Sequence, residues 1–361
     1  MNGKAAFIAV QTGVPIILWG KPGTGKTSWV KMLAEHLELP AEIVIASIRE
    51  PSDFAGLPII TKSDDVRLAP PDWARRLAEA KRGILFLDEL STAPPAVQSA
   101  ALRVVQERVV GDIYIDKNVW IIAAANPTDT SSGTWTLSAA LANRFLHIDW
   151  NIAPKAWVEG MLGGWLVNTD ICKLPENWQQ HLEQTRAFVA SFIQARPALL
   201  LNEPDNADQA GRAWPSPRTW EMLSLVLAAS RSVNADTEAE IALLAGCVGE
   251  GPASEFLVWE RNLDLPNPEE LLAKPSSFKV PKRGDQTFAI LSAVVAAAKG
   301  KLTKSRWLKA WEILGMAATE GHADIAAIPA KTLARARTSN LPVPPAIKAF
   351  LPILEMAGLL G

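Results

Sequence analysis

The 361-residue chain is poor in several kinds of residue that would direct its chemistry elsewhere. It has two cysteines, Cys172 and Cys247, far apart and outside any CxxC or His/Cys spacing. That excludes a disulfide scaffold and a thiolate metal site, and it points to a reducing compartment. Four scattered histidines make no metal constellation. The longest apolar runs, such as residues 288–298 with Ser292 interrupting them, fall well short of the ~20 residues a bilayer span needs. Neither sign of charge dominates: 36 Lys/Arg against 38 Asp/Glu leave a net charge of −2. The chain as a whole therefore gives no reason to expect nucleic acid or an anionic membrane as partner. No fixed-period repeat or low-complexity segment interrupts it. The first twenty residues run straight into a motif that cleavage of a leader would remove, so no leader is expected. The expectation is a soluble, cytoplasmic protein.

What is present is an ordinary globular mixture, 48% apolar and 20% charged. The length is too great for one compact core and implies two or three domains. The near-neutral balance hides a local contrast. Residues 151–273 carry 8 Lys/Arg against 17 Asp/Glu, and residues 274–361 carry 13 against 5. Two readings stand: unrelated solvated surfaces, or an acidic middle and a basic tail that attract each other within or between chains.

The N-terminal part alternates short apolar runs with helical periodicity. "VPIILWG" (14–20), "EIVIASI" (42–48), "GILFLDEL" (83–90) and "VWIIAAAN" (119–126) read as strands without clean in/out alternation, as expected when both faces are covered. "TSWVKMLAEHLEL" (27–39) puts Trp29, Val30, Leu33 and Leu37 on one helical face, and residues 71–82 and 94–109 are further helix candidates. This rhythm predicts an α/β three-layer core with a mainly parallel sheet, whose ligands bind beyond the carboxyl ends of the strands. After residue 150 the strand signals fade. Helices are predicted at 181–196, 216–233 (Ser216 as N-cap, Pro217 first), 236–248 and from 285 onward. The expected division is an α/β core at 1–150, an all-α lid at 151–250, and a Pro-rich linker with a helical extension at 251–361.

The segment Gly20-Lys21-Pro22-Gly23-Thr24-Gly25-Lys26-Thr27, followed by Ser28, fits G-x-x-x-x-G-K-[ST] between a predicted strand and a predicted helix. Its glycines let backbone N–H groups turn toward phosphate oxygens, and the helix N-terminus adds positive field. Lys26 is expected to neutralise β/γ-phosphate charge, and the Thr27 hydroxyl to ligate Mg²⁺. Asp88 and Glu89 close the strand "ILFLDEL"; Asp88 suits the metal, and Glu89 suits polarising an attacking water. Asn126, at the tip of another strand, can hydrogen-bond both that water and the γ-phosphate.

Together Lys26/Thr27, Asp88-Glu89 and Asn126 resemble the Walker A, Walker B and sensor-1 elements of an AAA+ ATPase. "LSAALANRFLHID" (137–149) resembles the segment in which an arginine reaches a neighbouring subunit, and "WPSPRTWEML" (214–223) is similar to the sensor-2 helix. With "EPSDFAGLP" (50–58), these match the MoxR branch over about residues 10–250, and 251–361 looks like the extension of a longer subgroup. The resemblance implies ATP and Mg²⁺ as cofactors, Arg144 as an arginine finger acting in trans, and Arg218 as a sensor tying lid closure to ATP. A planar guanidinium can hydrogen-bond two oxygens of a γ-phosphoryl transition state, which suits both roles.

The resemblance further implies a homo-oligomer, a hexameric ring, acting as a chaperone-like hydrolase beside a protein with a von Willebrand factor A domain. Two segments, 56–71 and 111–122, read as hairpins. They either trim the sheet edge or, as in that family, project toward the ring's pore. Tyr114 is the single tyrosine, and the fourteen tryptophans are taken as packing, none assigned to a site. The alternative function is a nucleic-acid motor. It would need a basic stripe interleaved with aromatics, and the only local excess is the basic tail.

Overall fold

A computed structural model describes residues 2–127, 135–163, 172–263 and 265–359. Part of the expected lid, residues 164–171, lies outside them.

Contacts divide the chain into two compact units, residues 1–176 with 200–254 and residues 177–199 with 255–361. In the first unit α1 (Gly3–Gln11) leads into β1 (Ile16–Trp19), α2 (Lys26–His36), β2 (Ala41–Ile45) and a one-turn α3 (Ser52–Ala55). Then come β3 (Leu57–Ile60), β4 (Val66–Ala69), α4 (Asp72–Ala80), β5 (Gly83–Asp88), α5 (Pro95–Glu107), β6 (Val109–Val110), β7 (Ile113–Tyr114) and β8 (Val119–Ala125). The core closes with α6 (Ala139–Ala142), β9 (Leu146–Asp149) and α7 (Pro154–Gly163).

Five strands form one parallel sheet in the order β2-β5-β8-β1-β9. The sheet and its flanking helices confirm the α/β class. The interior strands are buried except at Trp120 and Asp88, which are half-buried, as their unalternating apolar sequences require. The edge strand β2 buries only Val44. β1 lies between β8 and β9, although the chain next builds β2 at the far edge. That jump opens a crevice at the strands' carboxyl ends.

Among these elements α1, α7, β9 and the one-turn helices α3 and α6 had not been expected. α1 is buried from Ala5 through Val10, so its sequence has no polar face to give a helical period. β9 is four residues long and sits inside a segment read as a motif rather than a strand. The hairpin β3–β4 turns at Thr61–Asp65 as predicted. The second hairpin is a correction. It pairs only Val109–Val110 with Ile113–Tyr114, and Val119 onward belongs to the central sheet.

α8 (Leu182–Ala195) belongs to the second unit, whereas the short α9 (Ala207–Ala210), α10 (Pro217–Ser232) and α11 (Thr237–Val248) return to the first. α11 runs so close to β9 that a Cβ on Gly246 would stand 2.2 Å from the His147 carbonyl oxygen. The chain enters the second unit along α12 (Glu250–Arg261). It continues through α13 (Pro268–Ala273), α14 (Gly284–Gly300), α15 (Lys304–Ala317), α16 (Ala323–Ala334) and α17 (Leu351–Met356). α8 packs on α14, and Trp307, Trp311 and Phe350 are fully buried at the centre of this unit's core.

Candidate nucleotide site

The loop after β1 turns back at Gly23 and Gly25, both with φ near +80°, and Gly25 is the N-cap of α2. Only glycine adopts that backbone without strain, and turns of this kind let backbone amides face a phosphate. Gly20 is held differently: a Cβ there would lie 2.5 Å from the Trp150 carbonyl oxygen. The Trp150 indole N–H donates to the Thr24 carbonyl at 3.1 Å, so the end of β9 supports the loop from below.

A cavity of about 300 Å³ opens above the loop, walled by residues 22–28, Asp88, Glu89 and Asn126. The structure thus brings together Pro22, Gly23, Thr24, Gly25, Lys26, Thr27, Ser28, Asp88, Glu89 and Asn126. Gly20 lies beneath the loop rather than in the cavity wall, where its carbonyl accepts from Lys26 Nζ at 2.6 Å. The ammonium also donates to Lys21 O at 3.1 Å and Asn126 Oδ1 at 3.2 Å. Burial pulls the Lys26 pKa below its ordinary value, and Asp88 and Glu89 oppose that shift. A buried cation lining a cavity favours an anionic ligand there. Thr27 Oγ1 donates to Asp88 Oδ2 at 2.7 Å, so the two oxygens expected to share a Mg²⁺ are already adjacent. An oxygen pair of this kind fits a hard divalent cation.

Three contributors were invisible in the sequence. Glu89 sits in the left-handed region, φ +57°, and its Oε2 accepts from Ser47 Oγ at 2.5 Å. A non-glycine residue in that region costs about 1 kcal/mol or more, which the local structure must offset. Fully buried Ser91 holds the Asn126 backbone on both sides. Its hydroxyl accepts from the Asn126 N–H at 2.9 Å and donates to the Asn126 carbonyl at 3.2 Å. The third is a second cavity of about 330 Å³ that adjoins the loop at Gly23, Thr24, Gly25 and Ser28. It is otherwise lined by Gly3, Trp29, Met32, Trp150, Ile152 and Trp157. Trp29 and Trp150 are buried and packed on each other, in keeping with the packing reading, and with the exposed Trp157 they also line this cavity, whose apolar walls suit a flat ring.

Arg144 and Arg218 are not in either cavity. Arg144 lies two residues before β9, whose first residue, Leu146, is in register with Ile16 at the start of β1. That is the amino end of the sheet, roughly 10 Å of strand away from the phosphate loop at ~3.3 Å per residue. Its guanidinium bonds Gln106 at the end of α5 and the Ala140 carbonyl. Arg218, exposed in the first turn of α10, is its neighbour. The Arg144 pKa is lowered first by burial and then by the charge of Arg218.

Residues 15–147 match the model of the ATPase family associated with various cellular activities (AAA). No curated protein matches the chain. Among solved structures, a candidate ATPase from Cytophaga hutchinsonii is 21% identical over 71% of this chain and 87% of its own, with a TM-score of 0.44. A full-length MCM homolog from Methanopyrus kandleri is 16% identical over 68% and 55%, at 0.38. Bacteroides Pif1 bound to single-stranded DNA is 14% identical over 46% and 47%, at 0.27. Likenesses this low carry no functional argument.

Proposed function

We propose that this AAA-type ATPase works as an assembly of copies, each cleaving Mg²⁺-bound ATP with arginines lent by its neighbour, and that the cycle remodels a partner protein. The single observation that carries this reading is the separation of Arg144 and Arg218 from their own phosphate cavity. A γ-phosphoryl transition state needs cationic donors on its equatorial oxygens. Arg144 lies at the opposite end of the sheet with Arg218 linked to it through Asn143, which supports their use by a second copy. A head-to-tail contact of that sort closes into a ring.

Within one cavity the chain's own residues divide the work. The amides of the loop and Lys26 bind and orient the triphosphate. Thr27 and Asp88 would hold the magnesium, which when bound neutralises phosphate charge. Glu89 accepts the proton of the attacking water once its carboxylate leaves Ser47, and Asn126, fixed by Ser91, orients that water against the γ-phosphate. The tryptophan-lined cavity takes the base.

The finer reading is a MoxR-type remodeller in a hexameric ring, paired with a protein bearing a von Willebrand factor A domain. The motif order Lys26/Thr27, Asp88-Glu89, Asn126, Arg144, Arg218 supports it, and so does the exposure of Leu57, Ile59, Ile60 and Val66 on the β3–β4 hairpin. An exposed apolar hairpin suits gripping an unfolded segment of protein better than a phosphate backbone.

Glu89→Gln tests the reading. It is expected to bind ATP as the parent does, to lower turnover at least 100-fold, and to retain the partner protein on purification in ATP. Turnover at the parent rate would remove Glu89 from the chemistry. Retention of nucleic acid in place of protein would favour the motor.

A further inference from the structure

Arg144 and Arg218 stand on different elements, more than seventy residues apart in sequence. Asn143 brings them together. It is the C-cap of α6, 4% exposed, and both ends of its carboxamide are used. Nδ2 donates to the Trp214 carbonyl at 3.3 Å, and Oδ1 accepts from Ser216 Oγ at 2.7 Å. Ser216 is the N-cap of α10, and its hydroxyl accepts from the Thr219 N–H while Thr219 Oγ1 accepts from the Ser216 N–H. Arg218 is the second residue of that helix. One buried amide therefore lies a single residue from Arg144 and, through a cap hydroxyl, two residues from Arg218.

The chemistry of the position is narrow. Trp214 offers only an acceptor, and Ser216, whose oxygen already takes the Thr219 N–H, has its proton to give. A carboxamide meets both needs at once, whereas a carboxylate lacks the donor and an aliphatic side chain lacks both. The linkage also ties together the segments that carry the two guanidinium groups, and neither group has an ion-paired carboxylate among the described residues. Cations without a carboxylate partner suit an anion from outside.

We propose that Asn143 is the positioning residue that sets the spacing of Arg144 and Arg218, so that both address one phosphate on a neighbouring copy. This rests on the trans reading given above. Asn143 touches no nucleotide and acts through the two arginines.

The test uses the full-length chain with Asn143→Ala, and with Ser216→Gly as a second variant that severs the same link while keeping a tolerated N-cap. For both, ATP affinity measured with a fluorescent ATP analogue and KM are expected to stay within about twofold of the parent, while kcat falls about tenfold or more. Mixing either variant with Lys26→Ala copies is expected to restore turnover. The variant then supplies an intact cavity and the Lys26→Ala copy supplies intact arginines. Adding Asn143→Ala to Arg144→Ala is expected to slow turnover no further.

A parental kcat for both variants, losses that add to that of Arg144→Ala, or failure of Lys26→Ala copies to rescue would each overturn the assignment. The reading it rests on is separable. If Arg144→Ala itself turns over normally, the trans site falls. If Arg144→Ala is slow and rescued while Asn143→Ala is not slow, only the role of Asn143 falls.

Discussion

At the scale of single residues, the phosphate machinery is held in a particular state rather than simply present. The Glu89 carboxylate is bonded to Ser47 Oγ, on a residue whose backbone is itself in the left-handed region. A hydrogen bond to a charged acceptor contributes about 1–3 kcal/mol, less when solvent competes, so releasing Glu89 from Ser47 is a measurable part of the barrier. Ser47→Ala is expected to raise basal ATP turnover by roughly threefold or more without changing ATP affinity. Steady-state kinetics beside equilibrium binding checks this, and slower turnover would instead make Ser47 part of the chemistry.

His147 gives a second prediction. Its Nδ1 accepts from the Trp19 indole N–H at 2.9 Å and its other nitrogen lies 3.0 Å from the Ala142 carbonyl, which fixes the neutral tautomer with hydrogen on Nε2. Burial drops its pKa to about 4 from 6.5, so between those values the unfolded chain binds more protons than the folded one. This contribution to stability is therefore complete above pH 6.5 and lost as pH falls toward 4, about 3 kcal/mol in all. Denaturant titrations at pH 7 and 4.5 should differ less for His147→Gln than for the parent. An unchanged pH dependence would contradict this.

The residues found from sequence were those whose neighbours along the chain carry the signal. Lys26, Thr27, Asp88 and Asn126 each end a strand or open a helix. Ser47, Ser91 and Trp150 act on residues 42, 35 and 126 positions away, and no local pattern marks such pairings.

At the scale of elements, the strands followed from their apolar runs and turns, and helices α2, α4, α5, α10 and α11 from period and caps. Ser216 and Pro217 open α10 as their types dictate. What stayed hidden had a physical cause: α1 lacks a solvent face, and β9 is short and lies at the sheet edge. β9 is nonetheless central to the site. Its end supports the phosphate loop through Trp150, and α11 packs against it at Gly246. Gly246→Ala would drive a methyl group into the His147 carbonyl. The expected loss is about 1–3 kcal/mol of stability by chemical denaturation, and a parental midpoint would contradict that packing.

At the scale of the whole molecule, the charge contrast persists when the chain is divided by contacts. Residues 1–176 with 200–254 carry 20 Lys/Arg against 27 Asp/Glu, and residues 177–199 with 255–361 carry 16 against 11. Opposite net charges on two parts of identical copies favour association that weakens with salt. The proposed assembly is expected to shrink as NaCl rises from 0.05 to about 0.5 M, where the Debye length falls below ~5 Å. Sedimentation velocity reads this directly, and a salt-independent size would dismiss charge as the organiser. Truncating 274–361 would be a poorer test, because it strips α14 from α8 and exposes their shared apolar face. Among the described residues no helix is long and apolar enough to cross a membrane.

The claim that cleavage happens between copies is tested most directly by measuring ATP turnover per chain across a dilution series, with sedimentation of the same samples. Turnover per chain should collapse along with the assembled fraction as concentration falls. A monomer that hydrolyses ATP as fast as the assembly would contradict the account.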